Sequence, residues 1–403
     1  MPLDTGDTSF MLVATALVMI MTPGLAFFYG GLVSRKNVLA IMMQSYVSMG
    51  VSTILWVAVG YSLCFSGDVG GMGIIGNLDM AFLRGIEVTD LGGLNDTIPL
   101  LLFVVYQMMF AIITPALITG AFANRITFKA YLIFLVAWQI LVYYPFVHMI
   151  WGGGMLADWG VLDFAGGIVV HALAGMAALA SVIYVGKRGV EDAGAHNVPF
   201  VAIGAALLWF GWFGFNAGSE LAVDGVTAVA FINTQIAAAF AAITWLLLAW
   251  HYDGKPSFVE MLIGMIAGLA TITPAAGFVS PQSAMLIGVA AGAACYFAVV
   301  FRKKKGLDDA LDVWGVHGVG GALGIIMLGV LASESIGGQN GLYHGNQDFF
   351  MVQLAGLALA CVWAFAFTYG MLMMIDKVTP VRVSEEAEAA LDVTLHGESA
   401  YTD

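Results

Sequence analysis

Charge is what this chain has least of. Only 10% of its 403 residues are Asp, Glu, Lys or Arg, whereas 60% are hydrophobic and the mean hydropathy is +0.91. A soluble domain carries about 25% charged residues, so this chain has too few to cover a water-facing surface. Cysteine is scarce as well. Cys64, Cys295 and Cys361 lie scattered in apolar runs, which excludes a disulfide framework or a cysteine metal site and leaves them as packing residues. The net charge of −13 comes without a basic patch, which excludes nucleic acid as a partner. There is no His-Glu-x-x-His motif and no Cys/His cluster with zinc spacing. With no nucleophile–base constellation either, a membrane-embedded hydrolase is disfavoured, the chain is read as a non-enzyme and no cofactor is implied. The first ten residues hold Asp4 and Asp7 and no basic residue. That is unlike the basic start of a secretory signal, so the first apolar run is expected to stay as a membrane helix.

What is abundant are apolar runs of about 20 residues, enough to span a bilayer. They fall near 9–33, 42–66, 99–123, 130–150, 165–186, 199–219, 226–250, 258–278, 282–301, 312–332 and 349–375. The expected fold is all-α: a polytopic membrane protein of about eleven helices, followed by a tail from 376 to 403. The Gly 50 and Met 22 content suits close, adaptable helix packing. Arg35, Lys36, Arg125, Lys129, Lys187, Arg188, Lys255, Arg302 to Lys305, Lys377 and Arg382 all follow odd-numbered helices. The intervening loops are acidic, with Arg84 the basic exception. The positive-inside rule then puts the N-terminus outside and the tail in the cytoplasm. A block of five helices followed by five more inverts the second block, a common transporter plan, and leaves the eleventh outside the repeat.

One polar frame occurs in both blocks. Asp163 and His171 stand eight residues apart in Asp163-Phe-Ala-Gly-Gly-Ile-Val-Val-His171, and Asp309 and His317 repeat the spacing. Eight residues is a little over two helical turns, so acid and imidazole are expected on roughly one helix face. A single histidine in an apolar helix reads as a core residue. Two in corresponding places read as facing each other along a membrane pathway. Two roles are open to Asp163: accepting hydrogen bonds to fix a helix start, which is the expected one, or direct contact with a ligand.

Aromatics and prolines complete the inventory. Pro23-Gly24 is expected to interrupt the first helix. Tyr106, Gln107 and Phe110 lie in the third, Trp151-Gly-Gly-Gly154 follows the fourth, and Trp209, Trp212, Phe213, Phe215, Asn216 and Ser219 crowd the end of the sixth. Most of the tryptophans read as an interfacial belt. A Trp and a Ser beside an acidic vestibule also suit a small cation, which an aromatic face attracts by about 0.5–2 kcal/mol. His148 falls by the outer Trp, while His196, His251, His344 and His396 fall in loops or tail.

These motifs resemble the ammonium transporters of the Amt/Mep/Rh family, of the bacterial and archaeal Amt type, over essentially the whole chain. The specific pieces are Pro23-Gly-Leu-Ala-Phe-Phe-Tyr-Gly-Gly31, His148-Met-Ile-Trp-Gly-Gly-Gly154, Asp163-Phe-Ala-Gly-Gly167 with His171, Gly211-Trp-Phe-Gly-Phe-Asn-Ala-Gly-Ser219, Asp312-Val-Trp-Gly-Val-His-Gly-Val319 and the tail Leu391 to Tyr401. The resemblance implies a homotrimer in the cytoplasmic membrane, each subunit with its own pore for ammonium or ammonia, with methylammonium as analogue. It implies recruitment at Trp151, Ser219 and Tyr106, a gate of Tyr106 and Phe215, a pore and proton relay at His171 and His317, and Asp163 as structural acid. Position 106 departs from the family's usual Phe, and its hydroxyl bears on the dryness of the gate. Trp314 stands where Phe is more frequent. The tail, with Ser384 as a helix cap and Gly397 as a stop, is expected to be a control element for a PII-type (GlnK-like) protein.

The residues fit that function by their own chemistry. Ammonium matches potassium in charge and size, but unlike potassium it can shed a proton and cross an apolar constriction as ammonia. Histidine, with an unperturbed pKa of about 6.5, suits a proton relay near neutrality. A second reading, an ammonium sensor with little conduction, keeps the binding site and differs only in flux.

Overall fold

A chain in lipid must satisfy its backbone N–H and C=O groups internally, and helices do so within a single segment. The computed structural model describes residues 2–190 and 194–401, and among them it holds helices and three isolated β-bridges but no strand. Among the described residues, eleven helices are long and apolar enough to cross a membrane: α1 Thr5–Leu32, α2 Val38–Phe65, α3 Leu100–Ile118, α4 Phe128–Asp158, α5 Gly167–Val185, α6 Val198–Glu220, α7 Gly225–Asp253, α8 Phe258–Ala275, α9 Pro281–Lys304, α10 Trp314–Leu331 and α11 Gln347–Asp376. Their ends depart from the expected runs by a few residues. The third stops early because residues 119–125 turn, with Asn124 at φ 68°.

Pro23 does not interrupt α1, which stays helical throughout. The helix is held by its packing along α6, where a Cβ on Gly204 would stand 2.2 Å from the Phe28 amide nitrogen. So close an approach supports a helix through a missing hydrogen bond. The irregularities lie elsewhere, in wider π-helical turns at Trp56–Gly60, Gln139–Tyr143, Gly167–Ala172 and Trp314–Gly318. The interfacial-belt reading also fails for Trp56, Trp138, Trp212 and Trp245, which are buried. Each donates its indole N–H inside the bundle, to Val104, Thr368, Thr273 and Glu260 respectively.

The two five-helix blocks repeat their internal pairings. α1 packs on α2 and α3 as α6 packs on α7 and α8, α2 on α3 and α4 as α7 on α8 and α9, and α3 on α5 as α8 on α10. Five crossings reverse the chain direction, so the second block is inverted. Repeat-related helices also meet each other, α1 with α6 and α5 with α10. α11 lies outside the repeat, against α4, α5 and α10.

Apart from Arg84, the basic residues follow odd-numbered helices and so share one end. Asp308 binds Arg188 at 2.7 Å and faces Arg125 at 3.6 Å, and Arg302 pairs with Asp312. The tail lies across this end as two short helices, α12 Glu385–Glu388 and α13 Leu391–His396. Ser384 accepts the Ala387 N–H at 3.3 Å, and Gly397, at φ 68°, ends α13. Asp392 accepts the Ala40 amide near the start of α2 at 2.8 Å, and Asn37 holds both Leu391 and Glu388.

The α5–α10 crossing generates a stability prediction. A Cβ on Gly175 would stand 2.1 Å from Gly318 Cα, whereas one on Gly50 of α2 meets nothing within 4 Å. Gly175→Ala should cost about 1–3 kcal/mol by overpacking, while Gly50→Ala should be neutral or stabilise by up to about 1 kcal/mol. Thermal unfolding of the two purified variants in detergent measures the contrast, and equal melting temperatures would contradict the close crossing.

Candidate functional site

Helix starts decide where the histidines stand. The first turns of a helix leave backbone N–H groups unpaired, and these are costly to bury. Asp163, 5% exposed, satisfies them for α5. One carboxylate oxygen accepts from Gly166 at 2.9 Å and Gly167 at 2.6 Å, the other from Ile168 at 2.8 Å and Val169 at 3.1 Å. Gly166 turns into the helix at φ 120°, a conformation that favours glycine. Asp309 does the same for α10, accepting from Val313 at 3.1 Å and Trp314 at 2.7 Å. The expectation that acid and imidazole share a helix face is therefore corrected. Each acid lies ahead of its helix as a cap, and its histidine stands on the π-helical turn that follows.

Those turns bring the imidazoles together. His171 Nδ1 and His317 Nδ1 are 3.2 Å apart, with rings 15° from parallel. One Nδ1 must donate while the other accepts, so the pair presents one Nε2–H and one bare Nε2 whichever way the bond runs. His171 stacks on Trp212 at 5.5 Å, and Phe215 is 6.0 Å from it. Both histidines line a cavity of about 20 Å³ with Met21, Leu25, Phe28 and Tyr29. That is room for about one water-sized molecule.

On the other side of Phe215 lies a vestibule of about 360 Å³, lined among others by Gln107, Phe110, Trp151, Asp163, Ser219 and Glu220. Trp151 donates its indole N–H to the Asp163 carbonyl at 2.8 Å, so Asp163 positions both the helix and the indole. Ser219 Oγ donates to the Phe215 carbonyl at 2.9 Å, which leaves its lone pairs as acceptors.

Position 106 is placed differently from the expectation. Tyr106 is fully buried, and its hydroxyl donates to the Gly214 carbonyl at 2.9 Å, with the Phe215 carbonyl at 3.1 Å and Ser219 Oγ at 3.3 Å. The ring over Phe215 is Phe110, one helical turn on, at 4.4 Å, and Phe110 also meets Trp151 edge-on at 6.0 Å. Phe110 and Phe215 face each other with their rings tilted by 35°, and Tyr106 lies behind them. The signal that marks Phe110 is the i, i+4 spacing from Tyr106, which puts both on one face of α3. Glu220 belongs, by the expected helix bounds of 199–219, to an acidic loop. It lines the vestibule because the sixth helix continues through Glu220. His148 is buried, with Nδ1 on the Cys64 carbonyl at 2.9 Å and Nε2 3.5 Å from Asp68.

A bundle of membrane helices with a wide mouth, a closed aromatic pair and a water-sized apolar cavity beyond it has the architecture of a transporter or channel for a small solute. The chain belongs to the Ammonium Transporter Family, whose family model matches residues 9–401. That family is one of transporters and not of enzymes. The chain is 46% identical to the ammonium transporter of Bacillus subtilis, with 100% of each chain covered. Among solved structures it resembles Saccharomyces cerevisiae Mep2, with a TM-score of 0.88 and 33% identity over 95% of this chain and 88% of that one. It also resembles a structure described as a sensor Amt protein, with a TM-score of 0.89 and 29% identity over 97% and 98%.

Two predictions concern the capping acids. Asp163→Asn leaves only one oxygen to accept, so at least one buried N–H loses its partner. The cost should be about 2–4 kcal/mol, read as a lowered melting temperature, and an unchanged value would remove the cap from the fold's supports. For Asp309, burial first and Asp312 second raise the pKa to about 6, against the pull of Arg302 and two backbone N–H groups. The folded state thus holds the proton more tightly than the unfolded one. The stability this contributes is complete below about pH 4 and is lost as pH rises through about 6. Melting temperature followed from pH 4 to 7 should show that fall in the wild type and a flatter profile in Asp309→Asn.

Proposed function

We propose that this chain carries ammonium across the cytoplasmic membrane as a homotrimer with one pore per subunit. Ammonium is held in the vestibule by the Trp151 ring and the Ser219 oxygen, with Glu220 supplying negative charge nearby. It loses its proton at the Phe110–Phe215 pair, and ammonia passes alone into the apolar cavity. The imidazole pair carries the proton. A bare cation pays several kcal/mol to reach the middle of a bilayer, so a passage that strips the proton discriminates against potassium, which has none to lose.

The observation that carries this reading is the Nδ1–Nδ1 contact of 3.2 Å inside a cavity of one-molecule size. The pair always presents one donor and one acceptor: a proton taken up at the bare Nε2, passage of the shared Nδ1 proton along the bond and release of the far Nε2 proton carry one proton through and exchange the two roles. Tyr106 acts as a support for Phe110 and Ser219 rather than as the gate ring itself.

The same reading places the tail, 376–403, in the cytoplasm as the control element for a PII-type protein. The basic residues gathered at the tail's end of the bundle support that orientation. A sensor role is the second reading, favoured by the likeness to the sensor Amt structure. It predicts ligand binding with little flux.

Currents from purified protein in liposomes test the proposal, with gradients of ammonium, methylammonium and potassium. His171→Leu and His317→Leu should assemble normally and lose at least about tenfold of the ammonium current, since a general proton-transfer group contributes about 10²–10⁴-fold. Trp151→Leu should raise the half-saturating ammonium concentration roughly three- to thirtyfold, the range of a cation–π contact of about 0.5–2 kcal/mol. Wild-type currents in either histidine variant would overturn the relay. Ligand binding without current in the wild type would select the sensor.

A further inference from the structure

The regular turns of α4 break after Ile150 and resume at Met155. Between them stand Trp151, at φ −103°, and Gly152-Gly153-Gly154, with Gly153 at φ 77°. Glycines leave the backbone free, so the direction in which the indole projects depends on what holds this turn from outside. Asp163 fixes the far end of the ring through the indole N–H. The near end is the backbone of the turn itself.

His148, one helical turn before Trp151, holds that end. Its carbonyl accepts the Gly152 N–H at 3.1 Å and the Gly154 N–H at 3.0 Å. Its imidazole is 1% exposed and reaches across to α2, with Nδ1 2.9 Å from the Cys64 carbonyl. A carbonyl has no hydrogen to give, so Nδ1 carries one and donates it. The acceptor lies in the last turn of α2, where carbonyls lack a partner within the helix. Gly152 packs on the same carbonyl, since a Cβ there would stand 2.0 Å from its oxygen and 2.9 Å from His148 Nδ1. On the other edge of the ring, Nε2 faces Asp68 at 3.5 Å in the loop that follows α2. That loop also secures the far side of the glycines, where the Gly73 carbonyl accepts the Met155 N–H at 2.8 Å.

We propose that His148 is a positioning residue for ammonium recruitment. By donating Nδ1–H to the Cys64 carbonyl it ties the end of α2 to the turn that carries Trp151, and so sets the angle at which the indole face meets the cation. The inference rests on the reading that Trp151 holds ammonium. His148 itself touches no substrate, and its effect passes through the indole.

Liposome currents at varied ammonium test it. His148→Leu removes the donor and should raise the half-saturating concentration roughly three- to tenfold, within the range set by the Trp151 contact itself, while the maximal current per folded protein stays within about twofold. His148→Asn puts an amide N–H near the place of Nδ1 and should return half-saturation to within about twofold of wild type. In a Trp151→Leu background, His148→Leu should add less than about twofold, because two residues acting through one contact are not additive. Asp68→Ala loosens the other edge of the ring and should raise half-saturation roughly two- to fivefold, the range of a partly exposed ion pair. It keeps the test decisive if His148→Leu does not fold.

Wild-type half-saturation in His148→Leu, or in Asp68→Ala where the leucine variant does not fold, would overturn the positioning role. So would equal losses in the Leu and Asn variants, or full additivity with Trp151→Leu. A lowered maximal current at unchanged half-saturation would also overturn it and move His148 onto the conduction path. The two readings fail separately. A raised value in Trp151→Leu with none in His148→Leu removes His148 alone, whereas an unchanged value in Trp151→Leu removes recruitment at the indole and the role of His148 with it.

Discussion

The structure depends on keeping helix starts satisfied where no water can do it. Two helices, α5 and α10, begin inside the bundle, and each would leave several amide N–H groups facing apolar surroundings. One buried carboxylate at each start removes that cost. Asp163 takes four N–H groups and Asp309 two. Because the starts are fixed, the wider turns after them can be tolerated, and those turns carry His171 and His317. The Asp163 carbonyl then receives the Trp151 indole. A single residue thus sets the geometry of the vestibule and of the helix beyond the Phe110–Phe215 pair, and a fault in the cap would be felt in both.

Close packing explains why the passage is so narrow. The repeat-related helices cross at glycines, Gly24 with Gly204 and Gly175 with Gly318, where a Cβ would overlap the facing backbone. Membrane helices associate through such approaches because lipid offers no hydrophobic drive between them. Bringing α5 and α10 to that distance puts the imidazoles in contact and leaves about 20 Å³ beside them. Nδ1 and Nδ1 at 3.2 Å leave room for only one hydrogen between the rings.

The helices and the paired frames were legible because hydropathy and spacing report them directly. Asp163 and His171 recur as Asp309 and His317, and this alone singles out the residues the bundle brings to its centre. What the spacing misled on was the relation within each frame, since counting eight residues as helix ignores that a buried acid is better used ahead of a helix than along it. Tyr106 was misplaced for a related reason. Sequence position fixes a helix face but not which of two rings, one turn apart, lies over Phe215. Trp56, Trp138, Trp212 and Trp245 escaped the belt reading because each indole N–H finds an acceptor inside the bundle. Pro23 stays inside a continuous helix because tertiary packing outweighs one lost hydrogen bond.

The same logic makes the tail part of the bundle. Glu388 and Asp392 are 2% and 1% exposed, so neither is a solvated charge. Asp392 serves the Ala40 amide, Glu388 receives the Gly189 amide at 3.0 Å and Arg382 at 3.4 Å, and Tyr401 meets His196 at 2.8 Å. His196 in turn holds the Val33 carbonyl at the end of α1. A partner that lifted the tail would have to rehouse two buried carboxylates and leave the start of α2 uncapped. Lifting it is therefore costly, and a partner that binds over the tail as it lies meets no such cost. α1 also supplies Met21, Leu25, Phe28 and Tyr29 to the cavity wall. α5, which supplies Val170 and His171 to the same wall, receives Arg382 of the tail on its Val185 carbonyl at 3.1 Å, so tail and cavity wall share a helix.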